Sequence, residues 1–72
     1  MSDEFALKQA INSFIASLPK KTRIIFIRRY WYLSQISEIA RDLGVSENSI
    51  KVTLHRTRAA FKTHLEKEGI DL

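Results

Sequence analysis

Pro19, Gly44 and Gly69 are the only proline and glycine residues in a chain of 72. Between these breaks no run alternates apolar and polar residues as a half-buried strand does, and no internal repeat is present. The chain is therefore restricted to helices joined at the breaks, and apolar spacing sets their number. Leu7, Ile11, Phe14, Ile15 and Leu18 recur at helical intervals and predict a first helix over about 3–17. Pro19 ends it, because the residue before a proline is disfavoured in the α region. A second helix over about 20–32 carries Ile24, Ile25, Phe26 and Ile27, then Tyr30 and Trp31. Four consecutive apolar residues cover most of a helix circumference, so this helix is read as central and most buried. Phe26, Tyr30 and Trp31 are expected in the core or at its edge. Ser34 is the expected N-cap of a third helix over about 35–43, which Gly44 ends in the left-handed conformation. Ser46 is the expected N-cap of a fourth helix over about 46–67, with Glu47 near the positive end of its dipole. The predicted fold is all-α: one compact four-helix domain over residues 1–72.

The pair of helices on either side of Gly44 is more specific than a generic hairpin. Two helices joined by a three- to four-residue turn containing Gly form a helix-turn-helix. Ile39, Ala40 and Leu43 precede the turn, Gly44 and Val45 lie in it, and Ile50 and Leu54 follow. Ala40 has to be small where the next helix crosses, Gly44 supplies a positive φ, and Val45 and Ile50 plug the junction.

A 72-residue domain buries only about 60% of its unfolded surface, and without Cys it has neither disulfides nor thiolate metal sites to reinforce it. Packed apolar faces must hold it, which 44% hydrophobic residues allow. No apolar run approaches the roughly 18 residues of a membrane span. The MSDEF start lacks the basic-then-apolar order of a secretory signal, so a soluble cytoplasmic protein without membrane association is expected.

The net charge of +4 is unevenly placed. Lys20, Lys21, Arg23, Arg28 and Arg29 give residues 20–29 a local +5, and Lys51, Arg56, Arg58 and Lys62 against Glu47 give residues 46–62 a local +3. Acidic residues gather at the ends, with Asp3 and Glu4 at one and Glu66, Glu68 and Asp71 at the other. Two basic blocks favour a polyanion partner.

At 100° per residue the fourth helix resolves into faces. Ile50, Leu54, Thr57, Phe61 and Leu65 form the core stripe. Asn48, Val52, Ala59 and, to one flank, His55 lie opposite. Lys51, Arg58 and Lys62 make a basic stripe, with Arg56 on the other flank. In a helix-turn-helix the amino-terminal part of the second helix enters the major groove. Asn48, Ser49, Lys51, Val52, His55 and Arg56 are then the residues able to reach base edges or nearby phosphates. Val52 can pack against a thymine methyl, and Lys51 and Arg56 suit either guanine or phosphate.

Leu18-Pro19 with Arg23 and Phe26, then Arg29-Tyr30, then Glu38-Ile39-Ala40 with Leu43-Gly44-Val45-Ser46 form a recognisable series. Ile50-Lys51 and Leu54-His55-Arg56-Thr57-Arg58 complete it. Over residues 17–70 the chain resembles region four of a bacterial RNA polymerase sigma factor of the extracytoplasmic-function type. The resemblance implies binding of the minus-35 promoter element through the fourth helix. It also implies phosphate contacts from Arg29 and from the opening of the third helix, where Gln35 stands at the position usually held by Ser; Arg58 is read as a further phosphate contact. The flap of the polymerase β subunit and an anti-sigma factor are the implied protein partners. The sigma region that melts the minus-10 element has no counterpart here, so the chain is expected to be either a piece of a longer sigma factor, which is favoured, or a short partner subunit.

Other readings have less support. Two glycines build no phosphate-cradling loop, and there is no Cys nucleophile. His55 and His64 fall on opposite faces of one helix, so no shared metal is expected, and His64 is read as a plain surface residue. Glu66 and Glu68 do not form an acid–base pair. No enzyme, cofactor or small-molecule substrate is expected. A response-regulator output domain shares the helix-turn-helix but typically follows its turn with Thr-Val-Lys. A protein-interaction module without DNA readout would need an exposed apolar stripe on the fourth helix, where this chain is basic.

Overall fold

A computed structural model describes residues 3–70. Met1, Ser2 and Asp71, which entered the reading of the two ends, lie outside the described residues. Four helices follow in order: α1 (Asp3–Ser17), α2 (Lys20–Tyr30), α3 (Ile36–Leu43) and α4 (Glu47–Lys67). At 21 residues α4 is about 31 Å long at 1.5 Å per residue, and it sets the long axis of a 42 × 19 × 19 Å body. It packs against each of the other three helices, and α2 also packs against α3.

The core has two parts strung along α4. Around its amino-terminal half, Ile25, Ile39, Ala40, Ile50 and Leu54 are buried together, with Ile36, Leu43 and Val45 packed against them. Ile39 and Ile50 are completely inaccessible; of the two residues expected to plug the helix junction, Ile50 is fully buried and Val45 packs against the cluster half-buried. Around the carboxyl-terminal half, Phe14 is the hub of an aromatic cluster, its ring centroid 5.9 Å from Phe26, 5.0 Å from Phe61 and 5.5 Å from His64. Ala10 and Leu65 are buried in this half. The stripe predicted on α4 is thus inside, except that Phe61 is only half-buried. Thr57, its polar member, donates its hydroxyl to the Thr53 carbonyl at 2.7 Å, so its own buried donor is satisfied.

The helix-turn-helix closes as its sequence dictates. Gly44 adopts φ 68°, ψ 34°; its amide donates to the Arg41 carbonyl, while that of Val45 donates to the Ala40 carbonyl at 3.0 Å. This paired arrangement satisfies carbonyls that the helix end would otherwise orphan. Ser46 then accepts a hydrogen bond from the Ser49 amide at 3.0 Å, capping α4 as expected.

Four expectations are corrected. The helix α2 ends at Tyr30, not near residue 32. It is not the central helix, since α4 packs against all three others; of the α2 residues Ile25 is fully buried, while Ile24, Phe26 and Ile27 are half-covered. Trp31 is 79% exposed and lies outside the core, whereas Tyr30, 44% exposed, sits at its edge with its ring on Phe26. Ser34 does not cap α3: Gln35 occupies that position without a side-chain bond, and the Ser34 carbonyl instead accepts from Arg29. Leu33 turns the chain at φ 57° and so breaks the helical path that the apolar run suggested beyond Tyr30.

A leucine in the left-handed region costs about 1–2 kcal/mol, because its Cβ crowds the following carbonyl. Leu33 is also 78% exposed, so its side chain contributes little burial in return. Leu33→Gly is therefore expected to stabilise the domain by about 1 kcal/mol, raising Tm by roughly 4–8 °C in thermal unfolding followed by circular dichroism. An unchanged or lowered Tm would contradict the strain assigned to this turn.

Candidate nucleic-acid interface

The amino-terminal half of α4 is anchored on one side and bare on the other. Ile50 and Leu54 hold it down at 0% and 2% exposure. Between and beyond them Asn48, Ser49, Lys51, Val52, His55 and Arg56 are all exposed, Val52 at 37%. The structure thus brings the six residues expected to face a groove onto one outward surface. From Asn48 to Arg56 this surface runs about 12 Å, comparable with the width of a B-DNA major groove. Among the described residues, no hydrogen bond or ion pair engages the side chains of Asn48, Lys51, His55 or Arg56. Their donors and charges face outward without an internal partner.

The residues expected to hold phosphate are placed differently from one another. Gln35 is exposed at the opening of α3, beside the first free amides of that helix. Arg29, at the end of α2, is half-buried and donates from Nη1 to the Ser34 carbonyl at 3.0 Å. Arg58, exposed on α4, donates from Nη1 to the Tyr30 hydroxyl at 2.7 Å. Charge is also redistributed in a way the one-dimensional blocks conceal. Arg28 is paired with Asp42 of α3 at 2.7 Å, which compensates one of the five cations in residues 20–29 and ties α2 to the helix-turn-helix.

Two features were missed from sequence. One is the surroundings of His64, which is not a plain surface residue: its Nε2 lies 3.1 Å from the Ser13 hydroxyl and its ring packs on Phe14, joining α4 to α1. The other is an apolar groove of about 600 Å³ between α1, the end of α2 and the second half of α4. Ile11, Ile15, Phe26, Ile27, Trp31 and Phe61 line it, and Arg58 is the one charged residue on its wall. The exposed Trp31, Tyr32 and Leu33 extend its apolar rim. Reading Trp31 as core or core edge hid this surface, although an aromatic run beside a helix end was the available signal.

Comparison with known proteins gives these surfaces a context. The family described as Sigma-70, region 4, matches residues 8–61. An RNA polymerase sigma-E factor of Streptomyces avermitilis is 29% identical over 70 residues, covering 97% of this chain and 39% of that protein. The sigma-E factor of Streptomyces antibioticus is 35% identical over 54 residues, covering 75% of this chain and 30% of its own length. That of Streptomyces coelicolor is 27% identical over 70 residues, covering 97% and 40% respectively. The chain thus spans 30–40% of the length of these curated relatives. No solved structure matches it significantly. Among the described residues no helix is long and apolar enough to cross a membrane. Since the family match runs from within α1 to Phe61 of α4 and takes in the whole helix-turn-helix, the chain belongs to the Sigma-70, region 4 family.

Proposed function

We propose that this chain is the promoter-recognition domain of a bacterial sigma factor of the extracytoplasmic-function type, acting in the cytoplasm without catalysis of its own. In this reading α4 enters the major groove of the minus-35 element. Asn48, Ser49, Lys51, Val52, His55 and Arg56 meet base edges or adjacent phosphates, while Arg29, Gln35 and Arg58 hold the backbone on either side. The observation that carries the reading is the unpartnered outer face of α4, basic and groove-sized, held rigid from behind by Ile50 and Leu54. Phosphate contacts fix register, and base-edge contacts from this face supply sequence preference.

The test is a fluorescence-anisotropy titration of duplex carrying the minus-35 element of a promoter that the sigma factor controls, against a scrambled duplex. The expected result is tighter binding to the former and a steep fall of both affinities as salt rises, because phosphate contacts release counterions. Equal affinity for the two duplexes across the salt range would exclude sequence readout by this domain.

The groove supports a second activity of the same domain, docking on the flap of the polymerase β subunit, with an anti-sigma factor able to cover the same surface. An amphipathic helix laid into an apolar groove is a common mode of recognition. Trp31 is the natural anchor, since an exposed Trp at an interface often carries a large share of binding energy. Trp31→Ser is expected to weaken binding of a flap-tip peptide by about tenfold, while Tm and DNA affinity stay close to those of the parent. Calorimetric titration of the peptide checks this, and unaltered binding would move the docking site elsewhere.

A further inference from the structure

Arg28 and Arg29 at the end of α2 and Arg58 in α4 are held in two chemically different ways. Arg28 meets a carboxylate, Asp42, at 2.7 Å, so its charge is compensated within the fold. Arg29 and Arg58 meet neutral oxygens instead, the Ser34 carbonyl at 3.0 Å and the Tyr30 hydroxyl at 2.7 Å. A neutral acceptor fixes the direction of a guanidinium without cancelling its charge, and four of its five N–H donors remain available. Tyr30 is itself fixed: it closes α2, and its ring packs on Phe26 with centroids 4.9 Å apart. Its hydroxyl bridges 28 residues of sequence to reach α4.

We infer that Tyr30 is a positioning residue for DNA binding, holding the Arg58 guanidinium, charge intact, in the orientation that meets a backbone phosphate. The inference rests on the DNA-binding reading above and deepens it. An arginine side chain has high rotamer entropy, so one immobilised before binding spends less of its interaction energy on ordering. Because a phosphate contact carries no sequence information, the effect belongs to all duplexes alike.

Tyr30→Phe removes the hydroxyl and keeps the ring on Phe26. With a mixed-sequence duplex as probe and the full 72-residue chain, it is expected to lower affinity about three- to tenfold at low salt. It should also flatten the slope of log K against log salt toward that of Arg58→Ala, by up to about 0.9. The double variant Tyr30→Phe, Arg58→Ala should bind like Arg58→Ala alone, as expected when one residue acts only through the other. A Tyr30→Phe chain with the parent's affinity and salt slope overturns the inference, even if it melts earlier, because its hydroxyl is then purely structural. Losses that add fully in the double variant overturn it as well. A parent chain that binds mixed duplex but does not prefer the minus-35 element sinks the promoter reading and leaves this comparison intact.

Discussion

Replacing Lys51 and Arg56 together by alanine is expected to reduce affinity for the minus-35 duplex by roughly 30- to 1000-fold, with little change in Tm. Each side chain is exposed and neither has a partner within the described fold, so removing both leaves no buried group unsatisfied. Alanine is the best helix former, so α4 itself does not suffer. A good contact from Lys or Arg to guanine contributes about 1–3 kcal/mol of discrimination, and a phosphate contact changes the salt slope by about 0.9. Repeating the anisotropy titration between about 50 and 200 mM salt separates these contributions for each single variant. A residue reading bases loses preference for the element over the scrambled duplex. One touching phosphate loses affinity for both and flattens the slope. A double variant that binds as the parent does would place the DNA-binding face away from α4.

The second large effect concerns the support beneath that face. Ile50→Ala is expected to destabilise the domain by about 2–5 kcal/mol, since Ile50 is completely buried among Ile25, Ile39, Ala40 and Leu54. A chain of this size has roughly 4–10 kcal/mol of stability in total, so the substitution removes a large part of it. The lack of Cys leaves no crosslink to limit the loss. Thermal unfolding should show Tm falling by more than about 10 °C. Measured well below the new midpoint, DNA affinity should stay near the parent value, because the outward residues are untouched. A Tm within a few degrees of the parent would mean that the junction of the two helices does not depend on this plug.

Much of this protein is readable in one dimension because its signals are local. Pro19, Gly44 and Ser46 act through backbone geometry within a few residues, and each ends or begins a helix where expected. The stripe of Ile50, Leu54, Thr57 and Leu65 follows from the helical period alone. The outward position of Lys51, Val52, His55 and Arg56 follows from the same period. Among the described residues, Val52 is the least exposed of the large apolar residues left in solvent, at 37%.

What failed was inference from composition to environment. Ile24, Phe26 and Ile27 are apolar, but a four-helix body with a thin core covers α2 incompletely and leaves them half-exposed. Trp31 and Tyr32 continue the apolar run, but the reversal at Leu33 directs the chain out of the helix and leaves both in solvent. The sequence by itself determined the four helices, the turn at Gly44 and the face that α4 presents, because hydrogen bonding and periodicity operate over a few residues. Tertiary structure alone decided that Asp42 compensates Arg28, that Tyr30 orients Arg58, and that α1, α2 and α4 leave a groove between them. Those outcomes depend on which side chains meet across 14 or 28 residues, a distance that packing sets and local propensity does not.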